Sequence, residues 1–171
     1  MSDILSLEQA PAGLGAALRK AGFEQFTAIQ HAVLQPELAG RDLRISSQTG
    51  SGKTVALGLL LGPSVAEACA QQSPRKDRAS RVAAPVALLI APTRELAGQL
   101  GRELTWLYAP LGARVLVVTG GTSVMQERTG LQKRPQVVIG TPGRLLYHIR
   151  AGAMTLDRLK TIALDEADEM L

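Results

Sequence analysis

The sequence predicts an α/β fold, a parallel sheet with helices on both faces, and two observations carry that reading. Five short, mainly apolar runs stand out, read as continuous rather than alternating: LRIS at 43, VALLIA at 86, RVLVVT at 114, QVVIG at 136 and TIALD at 161. Unbroken apolarity marks strands covered on both faces. Around and between them lie helix-periodic stretches at 10–21, 28–39, 53–70, 94–109, 123–133 and 143–151. Strand and helix in alternation read as βα units joined by right-handed crossovers. At 171 residues and 46% hydrophobic content the chain suits one domain with a substantial core. Ligands of such sheets collect at the carboxyl ends of the strands, so the residues after each run are those to read for chemistry.

Bulk properties narrow the classes. The formal charge of +4 permits a polyanionic partner without requiring one. A single cysteine, Cys69, excludes an intramolecular disulfide framework and an all-cysteine metal site, and reads as a small helix residue. The start, MSDILSLEQAPAGL, does not have the form of a secretory signal, and a cytoplasmic protein is expected. The apolar windows 55–70 and 82–91 contain Pro63 and Pro85 and are expected to fall short of a membrane span. Aromatic content of 3% argues against a surface of exposed stacking platforms. The segment 71–85, QQSPRKDRASRVAAP, is linker-like, and a solvated flexible loop is expected there.

The first run leads into ISSQTGSGKT at 45–54. Ile45 is expected to end a buried strand, after which Gly50 and Gly52 let the backbone bend with its amides aimed at an anion. A helix follows, so orphan amides and the positive helix end converge on one phosphate-sized spot. In this pattern Thr49, Gly50, Ser51 and Gly52 form the cradle, Lys53 reaches the outer phosphates and the Thr54 hydroxyl ligates Mg²⁺. Ser47 stands where the motif usually has its first glycine. The plainer reading is a glycine-rich turn with an exposed lysine.

The last run decides between them. TIAL delivers Asp165 and Glu166 at a strand end, on the edge where the glycine loop should also lie. Asp165 can share the Mg²⁺ with Thr54, partly through water, and Glu166 can orient and deprotonate a water attacking a γ-phosphate. Consecutive acids can also simply cap a helix.

Asp165, Glu166, Ala167 and Asp168 spell the signature of the DEAD-box RNA helicases. Over essentially its whole length the chain resembles the first, N-terminal, RecA-like domain of that family. GFEQFTAIQ (22–30), SQTGSGKT (47–54), PTREL (92–96), GG (120–121), TPGR (141–144) and DEAD (165–168) stand in the family's order. The resemblance implies a RecA-like P-loop NTPase domain spanning 1–171, incomplete because family members continue into further strands and a second RecA-like domain. It implies ATP and Mg²⁺ as cofactors, single-stranded RNA as partner, and Asp168 as an interdomain coupling residue. The second domain supplies arginines that stabilise the transferring phosphoryl group, so these residues alone are expected to be nearly inactive.

Each motif also has a physical reading. The Gln30 amide presents a donor and an acceptor side by side, matching the N6 and N7 edge of adenine, while Phe23 packs on the base or on the fold. Phe26 stands where the family has proline, and an upstream aromatic is replaced by an aliphatic near Leu5. Pro92, Thr93 and Arg94, and likewise Thr141, Pro142, Gly143 and Arg144, open helices after strands. Helix starts of this kind can grip successive backbone phosphates. Gly120 and Gly121 are expected to let the RNA backbone come close. Helix capping by Thr93 and Thr141 and a simple glycine turn are the alternatives. His31, His148, Met125, Met170, Trp106 and Tyr108 read as packing or surface residues. Two other functions stay open: a nucleotide-independent RNA-binding module, and a P-loop NTPase acting on DNA.

Overall fold

The computed structural model describes residues 6–11, 13–46, 50–71 and 82–170. Its helices are α1 (Leu14–Lys20), α2 (Ala28–Ala32), α3 (Lys53–Gln71), α4 (Arg94–Tyr108), α5 (Val124–Gln132) and α6 (Pro142–Arg150). Its strands are β1 (Ala87–Ile90), β2 (Val115–Val118), β3 (Val137–Gly140) and β4 (Thr161–Leu164), in the order β2-β3-β1-β4 with every pair parallel. Parallel pairing sends every carboxyl end to the same edge.

The two faces follow from the alternation of side chains along each strand. Ala87 and Leu89 of β1, with Val137 and Ile139 of β3, pack against α1, α3 and α4. Leu88 and Val138 point the other way, into a smaller cluster with Leu131 of α5, Leu145 of α6 and Met154. Helices therefore cover both faces, as expected from unbroken apolar runs. At β4 the second face is bare: Ile162 and Leu164, in register with Leu88 and Ile90, are 55% and 58% exposed.

Three expectations need correction. LRIS forms no strand, because residues 43–46 lie outside every ladder and Ile45 is only half-buried. A strand needs a neighbour to complete its hydrogen bonds, and no described residue presents a ladder to this segment. The helix expected over 28–39 ends at Ala32, and Pro36 opens a separate single turn, Pro36–Leu38. The expected loop 71–85 falls largely on residues outside those described, but its described ends are built into the fold. Gln71 belongs to α3, while Ala83 is buried and bridges Met154 in parallel.

Pro63 does not interrupt α3, which is long and apolar enough, by length and composition, to cross a membrane. It is instead a core helix, with Val55, Leu59, Leu61, Val65 and Ala68 buried. Its closest partner is α4. A methyl group at Gly58 would meet Leu107 Cδ2 at 2.4 Å and Leu104 Cδ2 at 2.8 Å, so only glycine admits α4 at this distance. Beside that contact the buried Tyr108 hydroxyl donates to the Gly58 carbonyl at 2.7 Å, and burial pushes the phenol up from its ordinary pKa.

The hydroxyl and the glycine make separate contributions that denaturant unfolding can resolve. Tyr108→Phe removes one buried hydrogen bond and is expected to cost about 1 kcal/mol. Gly58→Ala overpacks the helix contact and is expected to cost more, about 1–3 kcal/mol.

Candidate functional site

Four loops leave the carboxyl edge of the sheet. In sheet order they carry Gly120 and Gly121 after β2, Thr141 to Arg144 after β3, Thr93 and Arg94 after β1, and Asp165 and Glu166 after β4. Strands lie about 4.8 Å apart, so the first three loops span about 10 Å along one line.

In the loop before α3, Gly50 and Gly52 take positive φ values of 80° and 88°. Gly52 is tied to α2: the Gln30 side chain donates through Nε2 to the Gly52 carbonyl at 3.4 Å and accepts through Oε1 from the Thr27 amide at 3.1 Å. A methyl group at Gly52 would lie 2.3 Å from Gln30 Nε2. The Thr27 hydroxyl donates to the Ser51 carbonyl at 3.0 Å. Gln30 is fully buried rather than a surface residue, and its amide is occupied by the loop and by its own helix start. Thr49, with Ser47, Gln48 and Leu5, lies outside the described residues.

Lys53 opens α3, followed by Thr54. Its charge reaches Asp165, drawn from the far end of the sequence. Asp165 is anchored by its amide, which donates to the Ile90 carbonyl of β1 at 2.9 Å. Burial and the neighbouring Glu166 carboxylate raise the Asp165 pKa from 3.8, while Lys53 and a backbone hydrogen bond pull it down. The balance leaves a carboxylate short of positive charge. Glu166 itself sits at φ 50°, a left-handed conformation uncommon for a non-glycine residue, and its carbonyl accepts from the Glu169 amide at 3.0 Å. Repulsion from Glu166, first among several causes, raises Glu169. Asp168 is exposed in the turn Ala167–Met170.

Among the described residues no group of three or more His, Cys, Asp or Glu is placed to cage a metal ion. One under-compensated carboxylate, within reach of the charge of Lys53, whose chain neighbour is Thr54, fits Mg²⁺, which binds through one or two carboxylates plus phosphates and keeps much of its water.

Phe23 meets the fold: its ring stacks on Trp106 of α4, centroids 6.1 Å apart. Phe26, where the family has proline, is a core residue only 1% exposed. Trp106 also donates to Glu103 at 2.9 Å, so both aromatics expected to pack do so. Cys69 lies half-buried in α3.

Toward β2 and β3 the arrangement departs from expectation in one respect. What comes close to the glycine pair is Arg94: a methyl group at Gly121 would meet its Nη1 at 2.2 Å, and one at Gly120 would meet Nη2 at 3.4 Å. Gly121 also has φ 84°. The guanidinium therefore lies over the turn. Thr93 caps α4, accepting from the Leu96 amide at 3.3 Å, whereas Thr141 makes no side-chain cap on α6 and the space beside Gly143 is open.

The sequence reading missed Glu127, a buried carboxylate of α5. It accepts from the Thr119 amide at 2.9 Å, from the Thr122 hydroxyl, from Arg144 Nη1 at 3.2 Å and from His148 Nε2 at 2.7 Å. Burial pushes its pKa up, but the hydrogen bonds from Thr122, His148 and Thr119, with the Arg144 charge, outweigh burial and leave it below 4.5. His148 is thus structural, as expected, but not isolated. An acid nine residues after the end of β2 was the available signal.

A profile of the family described as DEAD/DEAH box helicase matches residues 27–171. The chain is 41% identical over 155 residues to the ATP-dependent RNA helicase CshA of Listeria monocytogenes, covering 91% of this chain and 27% of that protein. It is 39% identical over 155 residues to the ATP-dependent RNA helicase DbpA of Escherichia coli, covering 90% and 31%. Among solved structures, the ADP-bound RNA helicase Prp28 of Chaetomium thermophilum superposes with TM-score 0.80 at 30% identity, over 99% of this chain and 39% of that one. The yeast DEAD-box splicing factor Prp28 gives 0.82 at 26%, over 99% and 39%. The chain thus spans about a third of the length of these relatives.

Two substitutions test this geometry by stability alone. A carboxyl whose pKa is raised on folding binds its proton more tightly folded than unfolded, so its ionised form works against folding above that pKa and the penalty fades as pH falls through it. Asp165→Asn is therefore expected to raise the Tm at pH 7, without ligands, by about 1–3 °C, with the gain vanishing below about pH 4. Gly121→Ala should cost about 1–2 kcal/mol, through positive φ and the Arg94 clash, and clearly more than Gly120→Ala. In an Arg94→Ala background the clash contribution disappears from denaturant melts.

Proposed function

The chain belongs to the DEAD/DEAH box helicase family, and from that premise we propose that the whole protein is an ATP-dependent RNA helicase whose first RecA-like domain includes these residues. What carries the reading is the approach of the Lys53 charge to Asp165, with Thr54 beside one and Glu166 beside the other. A lysine at a helix start and a carboxylate short of positive charge make a place for a polyphosphate with a divalent cation between them.

In this proposal the amides of 50–54 and the Lys53 ammonium hold the β- and γ-phosphates. Asp165 and Thr54 would hold Mg²⁺, partly through water, which when bound would supply positive charge against the phosphate oxygens. Glu166 orients the attacking water and takes its proton, its left-handed backbone turning it out of line with the strand. Gln30 pins Gly52, and to read adenine it has to turn the amide hydrogen and lone pair left over from those contacts toward the base, out of a position that is fully buried without ligand. Phe23, stacked on Trp106, supports that site from the fold side.

RNA runs along the loops after β2, β3 and β1. Arg94, Arg144 and the helix starts at 92–94 and 141–144 grip its phosphates without reading bases. ATP closes a second RecA-like domain over the strand, Asp168 couples the two domains, and the bent strand leaves its duplex partner until hydrolysis resets the cycle. A cytoplasmic location goes with this reading.

The test is ATPase activity of the whole protein with and without RNA. Single-stranded RNA is expected to stimulate hydrolysis strongly, and Glu166→Gln to lower the stimulated rate by about 10²–10⁴-fold. The 171 residues alone should hydrolyse ATP about 10³-fold more slowly than the whole protein, for want of the partner domain's arginines. Stimulation by duplex DNA and not by RNA would replace this reading with a DNA-dependent NTPase.

A further inference from the structure

Behind the proposed RNA face lies a network centred on Glu127, a residue that none of the six sequence motifs includes. Glu127 is 4% exposed, and a carboxylate buried to that degree is costly unless nearly every lone pair is matched. Its matches come from two elements. Oε1 faces the Thr119 amide and the Thr122 hydroxyl, both on the turn after β2. Oε2 faces Arg144 Nη1 and His148 Nε2, both on α6. The Arg144 Nη2 also donates to the Thr122 carbonyl at 3.4 Å, tying the two elements directly.

The donors settle the charges. An ionised carboxylate only accepts, so a hydrogen on His148 sits on Nε2 and donates to Glu127, while Nδ1 is buried and has no hydrogen-bond partner among the described residues. Arg144 brings a permanent positive charge to Glu127, so part of its guanidinium is committed inward. The 119–122 turn in turn seats Gly121, over which Arg94 lies.

We infer that Glu127 is a positioning residue for RNA: without touching the strand, it holds the glycine turn and the Arg144 guanidinium at the separation at which they meet neighbouring phosphates. The inference rests on the helicase reading and assigns a task to a residue outside the motifs that carry it. Glutamine at 127 keeps an acceptor for Thr119 and Thr122 but sets an amide NH₂ against two donors, releasing Arg144 while sparing the turn. Alanine releases both.

The test uses the whole protein, with ATPase measured against increasing oligouridylate and direct binding of fluorescein-labelled oligouridylate at fixed salt. Glu127→Gln is expected to raise the KM for RNA and the Kd together by about 5–10-fold, with kcat at saturating RNA within about twofold. Glu127→Ala should raise both further. Arg144→Ala alone should cost about 5–10-fold in Kd but less than about twofold when added to Glu127→Gln, because the two changes remove one contact. An unchanged KM and Kd in Glu127→Gln, additive effects of the two substitutions, or a loss of kcat with KM unaltered would overturn the inference. Should Glu127→Ala fail to fold, the glutamine variant and the double-mutant cycle decide alone. Wild-type protein that neither binds oligouridylate nor is stimulated by it sinks the helicase reading and this inference together; stimulated wild type with unaffected variants sinks this inference only.

Discussion

A parallel strand pair cannot be closed by a tight turn; each strand must be re-entered from the same end through a crossover that carries the chain back across the sheet. That constraint organises the molecule. With all four strands parallel, every loop that leaves a carboxyl end emerges on one edge, and every loop that enters emerges on the other. Residues from positions 93, 120, 141 and 165 become neighbours without any interaction having to recruit them. The core clusters serve this arrangement: helices pressed on both faces of β1 and β3 keep the sheet flat enough in register for four short loops to form one continuous surface.

Much of this was legible because unbroken apolar runs and helix-periodic stretches say which segments are covered twice and which once. β1, β2, β3 and β4, and five of the six helices, lie where those patterns put them. LRIS shows the limit. Its apolar residues promise a strand, but a strand depends on the ladder beside it, and a pattern within four residues carries no information about a neighbour. Pro36 and Pro63 show another: the same residue ends α2's extension yet sits inside α3, where packing of a long buried helix outweighs one missing backbone hydrogen bond.

The site was legible where chemistry is local and obscure where it is assembled. Lys53, Thr54, Asp165 and Glu166 announce themselves by type and spacing. Phe23 left two readings open, and its stacking on Trp106 turns on a contact between distant helices. The glycine pair was expected to let an RNA backbone come close; the group that lies over it in the structure is Arg94, which nothing in the local sequence names. Glu127 stayed hidden for the same reason. Alone on α5 it resembles any surface acid, and only burial at the meeting point of three elements gives it four donors.

The contact between α3 and α4 has a mechanical side. Gly58, one turn and a half beyond Lys53, bears on the far end of α4 through Leu104, Leu107 and the Tyr108 hydroxyl. From that bearing α4 runs about 20 Å to Arg94 at its other end. It has the geometry of a lever with its fulcrum one and a half turns from the start of α3 and its tip on the glycine turn, for which a tilt of about 5° at the fulcrum would swing the tip by about 2 Å.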